Sequence, residues 1–120
     1  MTAKGYYDLV REAKSRVKEV TVQETIQILG EHPETVVVDC REPNESALAT
    51  IAGAVVIPRG ILESNIERVA KRDQKVIIYC AGGNRSALAA DSLREMGYQD
   101  VATMAGGFRA WIDAGGDIDG

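Results

Sequence analysis

Residues 76–88 run Val-Ile-Ile-Tyr-Cys-Ala-Gly-Gly-Asn-Arg-Ser-Ala-Leu: an apolar stretch ends on Cys80, a small polar loop follows, and a helical pattern opens at Arg85. Backbone N–H groups of a tight loop, continued by the free N–H groups of a helix start, converge on one concavity and hold an anion there. The anion this sequence offers is the sulfur of Cys80, as thiolate or as persulfide. Gly82 and Gly83 admit the unusual backbone angles of such a cradle, Asn84 and Ser86 bring side-chain hydrogen bonds and helix capping, and Arg85 adds a fixed positive charge. Unperturbed cysteine titrates at about 8.5, and a helix N-terminus beside a cation lowers that value. Cys80 is therefore the expected catalytic residue, a nucleophile that needs no partner base, with Ala81, Gly82, Gly83, Asn84, Arg85 and Ser86 as the binding loop. The competing reading is a buried structural thiol ahead of a glycine turn.

Other reactive side chains are few. His32 is the sole histidine and lies beside Pro33 in a predicted turn, so a Cys-His protease arrangement has little support. One histidine and two separated cysteines make no convincing ligand set, and neither metal nor cofactor is implied. Cys40 also ends an apolar run. It reads first as a small buried hydrophobe, and second as a thiol able to resolve a Cys80 persulfide into a disulfide. Asp39 and Arg41 could line the site, but Arg41 and Glu45 are spaced i,i+4 and read as a salt bridge ordering the turn. Arg59 is a weak candidate for guiding anionic donors to the mouth of the pocket.

These residues need elements to position them. Residues 35–38 and 76–79 are β-branched or aromatic runs without polar alternation, the pattern of strands buried on both faces of a parallel sheet. Residues 54–57 and 101–104 read as two more strands, and 19–21 as a short fifth at an edge. Helices are expected at 6–17, 22–30, 61–70 and 85–96. The first carries apolar Tyr6, Leu9, Val10, Ala13 and Val17 on one side; the second opens with the capping pair Thr21 and Glu24. Phe108, Trp111 and Ile112 recur at helical spacing and read as packing. Strands alternating with helices give an α/β domain whose ligands lie at the carboxyl ends of the strands, where both cysteines stand.

At 120 residues and 45% hydrophobic the chain supports one core and not two. A net charge of -4, from 14 basic and 18 acidic residues, excludes an electrostatic nucleic-acid footprint. Residues 1–5 show no export signal and no apolar stretch reaches membrane-spanning length, so the expected address is the cytoplasm, with free thiols. The expected organisation is an N-terminal helical extension (1–18), one domain (19–115) and a flexible tail (116–120).

Cys80 through Ser86, a cysteine, four loop residues, an arginine and a serine, resembles the active loop of the rhodanese family. Asp39-Cys40-Arg41-Glu42-Pro43-Asn44-Glu45 is similar to the family's Asp-x-Arg signature, Gly53-Ala54-Val55-Val56-Ile57-Pro58 to its Gly-Ala-x-x-Ile-Pro segment, and Gly106-Gly107-Phe108-Arg109-Ala110-Trp111 to its Gly-Gly-x-x-Ala-Trp ending. The chain departs from the pattern at Ser46, in place of an aromatic residue, and at Ala49-Thr50-Ile51-Ala52 before Gly53. The resemblance implies a five-stranded parallel sheet between helices on both faces, and a two-step reaction. Cys80 takes the outer sulfur from a small-molecule donor such as thiosulfate, then yields it to a thiophilic acceptor, cyanide or a thiol, a thiol protein included. A persulfide-carrying or regulatory module whose acceptor is a protein is the second expectation. A Cys-dependent phosphatase is the third; the resemblance argues against it, since phosphatases of the related fold place one more residue between Cys and Arg.

Overall fold

The computed structural model describes residues 2–120; Met1 lies outside them. The two most apolar runs become the central strands, β2 (Val36–Asp39) and β5 (Lys75–Tyr79), because only a strand covered on both faces tolerates such a composition. With β1 (Lys18–Val20), β4 (Val55–Val56) and β6 (Asp100–Met104) they form one parallel sheet in the order β1-β6-β5-β2-β4. Register pairs Asp39 with Tyr79 across β2 and β5, and Ile78 with Thr103 across β5 and β6.

Side chains alternate between two cores. On one face Val38, Cys40, Ile78 and Cys80 pack against Leu62, Ile66, Ala89, Ala90 and Leu93, from the α4 region (Leu62–Asn65) and α5 (Asn84–Glu95). On the other, Val37, Ile77, Tyr79 and Met104 pack with Val22 of α2 (Val22–Glu31) and Trp111 of α6 (Gly107–Asp113). Thr21 caps α2 as expected, its hydroxyl accepting from the Glu24 N–H while the Glu24 carboxylate accepts from the Thr21 N–H. The leading helix, α1 (Tyr6–Arg16), docks on α5 through buried Val10 and Ala13. A fork from Arg16 to Asp91, closest at 2.7 Å, fixes that docking. The buried stripe is narrower than the sequence pattern: Tyr6 and Leu9 stay exposed.

Three segments differ from the expected pattern. The helix expected at 61–70 is a single turn of α-helix at Leu62–Asn65 between two 3-10 turns, Arg59–Ile61 and Ile66–Arg68. Ser64 and Asn65 donate side-chain hydrogen bonds to the Ile61 carbonyl, a competition with the backbone ladder that breaks regular helices. A short helix α3 (Pro43–Ser46) forms where only a turn was expected. Finally, the tail expected to be loose is tied down. Its β7 (Ile118–Asp119) pairs antiparallel with β3 (Thr50–Ile51), the Trp111 indole N–H donates to the Asp117 carbonyl, and the Gly53 N–H donates to the Asp119 carboxylate. The partner strand lies far back in the chain, where local pattern cannot see it.

Candidate active site

The end of β5 delivers Cys80 directly into the turn that starts α5. Gly83, with φ +107°, is the residue that makes this turn: it caps α5 in a backbone region that side-chain-bearing residues rarely adopt. Gly82 has no such requirement, since its φ is not positive and a Cβ there would meet open space. The turn folds the first amides of the helix back onto the sulfur. Cys80 Sγ accepts hydrogen bonds from the Gly83 N–H at 3.0 Å and the Ser86 N–H at 3.3 Å, and the Ser86 hydroxyl stands 3.3 Å away. Among the described residues no side chain caps α5, so Asn84 lines the loop without the capping role its type implied.

Electrostatics follow from this geometry. Burial pushes the Cys80 thiol up, but hydrogen bonds from the Ser86 side chain and from the Ser86, Gly83 and Gly82 backbones outweigh it and hold the thiol below its ordinary value. In the thiolate form Sγ only accepts, and the single hydroxyl proton of Ser86 then goes to Sγ. The 2.7 Å contact between Ser86 Oγ and Thr103 Oγ1 must then be donated by Thr103. Thr103, fully buried on β6, thus belongs to the site although the motifs did not include it. A polar residue inside the apolar run 101–104 was the signal that could have found it.

The loop is held from outside by α6. The Phe108 N–H donates to the Cys80 carbonyl at 2.7 Å and the Arg109 N–H to the Ala81 carbonyl at 3.2 Å. This close approach requires Gly107, with φ +58°: a Cβ there would overlap the Cys80 carbonyl oxygen and lie 2.7 Å from the Ala81 carbonyl group. Beside it, Ala81, Arg41, Phe108, Arg109, Ile112 and Asp113 line an open cavity of about 260 Å³.

The charged residues settle differently from the sequence expectation. Arg41 pairs with Asp39, not with Glu45: its guanidinium forks onto the buried carboxylate at 2.7 Å, donates to the Ala49 carbonyl at 2.6 Å and lies 4.1 Å over the Phe108 ring. The Tyr79 hydroxyl donates to the same carboxylate and accepts from the Ile51 N–H. Asp39 and Arg41 are therefore a buried brace that anchors the Ala49-Thr50-Ile51-Ala52 segment. Glu45 instead accepts both arms of Arg85, at 3.0 and 3.2 Å. Arg85 keeps its charge, and this pairing raises its pKa further; the hydrogen bonds to the sulfur come from Gly83 and Ser86 and not from Arg85. Arg59 is likewise spent on Glu63 and Ser92.

Cys40 and Cys80 are both buried free thiols. Burial, then the nearby Cys80 charge, pushes Cys40 up to about 12, in contrast to its neighbour. Among the described residues no group of histidine, cysteine and carboxylate side chains is placed to hold a metal, and no helix is long and apolar enough to cross a membrane.

The rhodanese-like domain model matches residues 21–114. This chain belongs to the rhodanese-like family. It is 32% identical over 99 residues to a sulfurtransferase of Allochromatium vinosum, covering 82% of this chain and 92% of that one. To the thiosulfate sulfurtransferase GlpE of Pseudoalteromonas translucida it is 34% identical over 95 residues, 78% of this chain and 88% of the relative. Among solved structures, a protein of unknown function from Rhodopseudomonas palustris, described as a possible tyrosine phosphatase, superposes with a TM-score of 0.87. That protein is 38% identical, with 99% of this chain and 97% of that one covered. The match to the family model leaves all of α1 outside, so the helix that docks on α5 is an addition to the matched domain.

Proposed function

We propose that this rhodanese-like transferase moves sulfane sulfur through a persulfide on Cys80, with thiosulfate as donor and cyanide or a thiol as acceptor. The Cys80 thiolate attacks the outer sulfur of thiosulfate, the S–S bond breaks, and sulfite leaves with the bonding pair. The acceptor then attacks the outer sulfur of the persulfide and the Cys80 thiolate is restored. The observation that carries this reading is the set of donors on Cys80 Sγ. They stabilise the thiolate as nucleophile in the first step and as leaving group in the second. Ala81 to Ser86 form the loop around the transferred sulfur. A reducing compartment such as the cytoplasm suits two free thiols.

The same cradle suits a persulfide carrier that serves a thiol protein, because the fork of Arg85 onto Glu45 offsets the positive charge that a dianionic donor would use. Phosphate chemistry is disfavoured for the same reason, and by the spacing of Cys80 and Arg85.

Intact mass under non-reducing conditions, before and after thiosulfate, tests the reading. The wild type gains one sulfur atom that cyanide removes; Cys80→Ser gains none. Equal uptake by Cys80→Ser refutes it. Uptake by the wild type with negligible thiocyanate turnover identifies the carrier, and Cys80-dependent hydrolysis of an aryl phosphate would reinstate the phosphatase.

A further inference from the structure

We infer that Cys40 is a resolving thiol for Cys80: its sulfur attacks the inner sulfur of the Cys80 persulfide, closes a Cys40–Cys80 disulfide and expels the outer sulfur as hydrogen sulfide. The inference rests on the proposed persulfide and adds a second fate for it, release of sulfide when no acceptor arrives.

The strand register places the two thiols together. Asp39 and Tyr79 are paired across adjacent parallel strands, and the Cys40 N–H continues the ladder by donating to the Tyr79 carbonyl at 3.0 Å. Cys40 and Cys80 are the next residues on each strand. Neighbouring strands run about 4.8 Å apart, inside the span of about 4.4–6.8 Å that disulfide-bonded Cα atoms occupy. Alternation puts both side chains on the same face, in the same buried cluster as Val38 and Ile78. The electrostatic coupling between the two thiols shows the same proximity.

The surroundings of Cys80 Sγ are also asymmetric. Its hydrogen bonds come from the loop and the start of α5, the side that would cradle the outer sulfur, whereas its apolar neighbours belong to the cluster that contains Cys40. A thiol arriving from the cluster meets the inner sulfur.

The step balances without an outside oxidant, because the sulfane sulfur is the oxidant. Cys80–S–SH and Cys40–SH give one disulfide and hydrogen sulfide; the Cys40 proton leaves with the departing sulfide. Two equivalents of a low-molecular-weight thiol then reduce the disulfide and reset the enzyme. The groups facing Cys40 set the rate. Burial and the charges of Cys80 and Asp39 raise its pKa, Arg85 and Arg59 lower it, and the balance keeps it a thiol at neutral pH. Resolution is therefore slow beside transfer to an acceptor, and quickens about tenfold per pH unit as the thiolate fraction grows.

The test loads the full chain with thiosulfate, removes the excess, and follows intact mass and released sulfide with time after acid quenching. The wild type should lose the added sulfur atom, release one sulfide per chain and end at the mass of the disulfide. Cys40→Ser and Cys40→Val should hold the added sulfur at least tenfold longer and release it only to cyanide; two variants guard against a packing defect in either. Sulfur lost at the same rate from wild type and both variants, or lost without a disulfide, overturns the inference and leaves the carrier reading standing. Failure of all three proteins to take up sulfur refutes both.

Discussion

Ser86→Ala isolates the hydroxyl's share in holding Cys80 as a thiolate. The substitution leaves the Ser86 N–H in place and removes only the donor at 3.3 Å. A hydrogen bond to a charged group contributes about 1.5–3 kcal/mol, and one pKa unit corresponds to about 1.36 kcal/mol, so the Cys80 pKa should rise by about 1–2 units. Burial, the largest influence on this thiol, already pushes it up, and nothing else in the cradle replaces the lost donor. Below the new pKa the thiolate fraction falls about tenfold for each unit gained, and alkylation by iodoacetamide slows in proportion. The assay is alkylation rate against pH, read by mass on Cys80. Thr103→Val provides the second arm: it removes the donor that orients Ser86 while leaving Ser86 itself, so its profile should shift in the same direction by less. A Ser86→Ala profile superimposable on the wild type would show that the backbone amides alone set the thiolate, and would refute the Thr103-to-Ser86-to-Cys80 chain.

Two further outcomes test how the loop and the leading helix are held. Gly107→Ala must accept φ +58° and a contact of 2.7 Å with the Ala81 carbonyl, a combined cost of roughly 2–4 kcal/mol, seen as a fall in Tm of roughly 10 °C by calorimetry. An unchanged Tm would mean that α6 does not clamp the loop. The docking of α1 should be acid-sensitive: hydrogen bonding by Arg16, against opposing burial and with help from Arg94, holds the Asp91 carboxyl below its usual range. Its pKa is lower folded than unfolded, so this contribution is complete above about pH 4 and is lost as pH falls through the folded value. The protection of the α1 amides, taken relative to their intrinsic exchange rates at each pH, should fall on acidification before that of β5, and Asp91→Asn should abolish the difference.

Much of the geometry around Cys80 was legible because the contacts that build it are local. A run from strand to cysteine to glycine turn to helix start forces amides onto the sulfur, whatever the rest of the chain does, so residues 76–88 specified Cys80 and its cradle. Likewise the unbroken apolar runs at β2 and β5 can only be central strands of a covered parallel sheet, which also set both cysteines at carboxyl ends. What the tertiary structure alone decided is which partner each buried polar or charged group takes. Arg41 turns to Asp39 and Glu45 to Arg85, because the carboxylate of Asp39 is fully buried and needs a partner within reach, while α3 carries Glu45 across to the loop. Thr103 enters the site only because register lays β6 beside β5. The last residues are held because Thr50–Ile51, Gly53 and Trp111 meet them in space, and Cys40 stands beside Cys80 because Asp39 and Tyr79 are paired. Hydrogen-bond donors and charges find whatever is near them in space, and sequence spacing carries that information only within a turn or two of helix or a single loop.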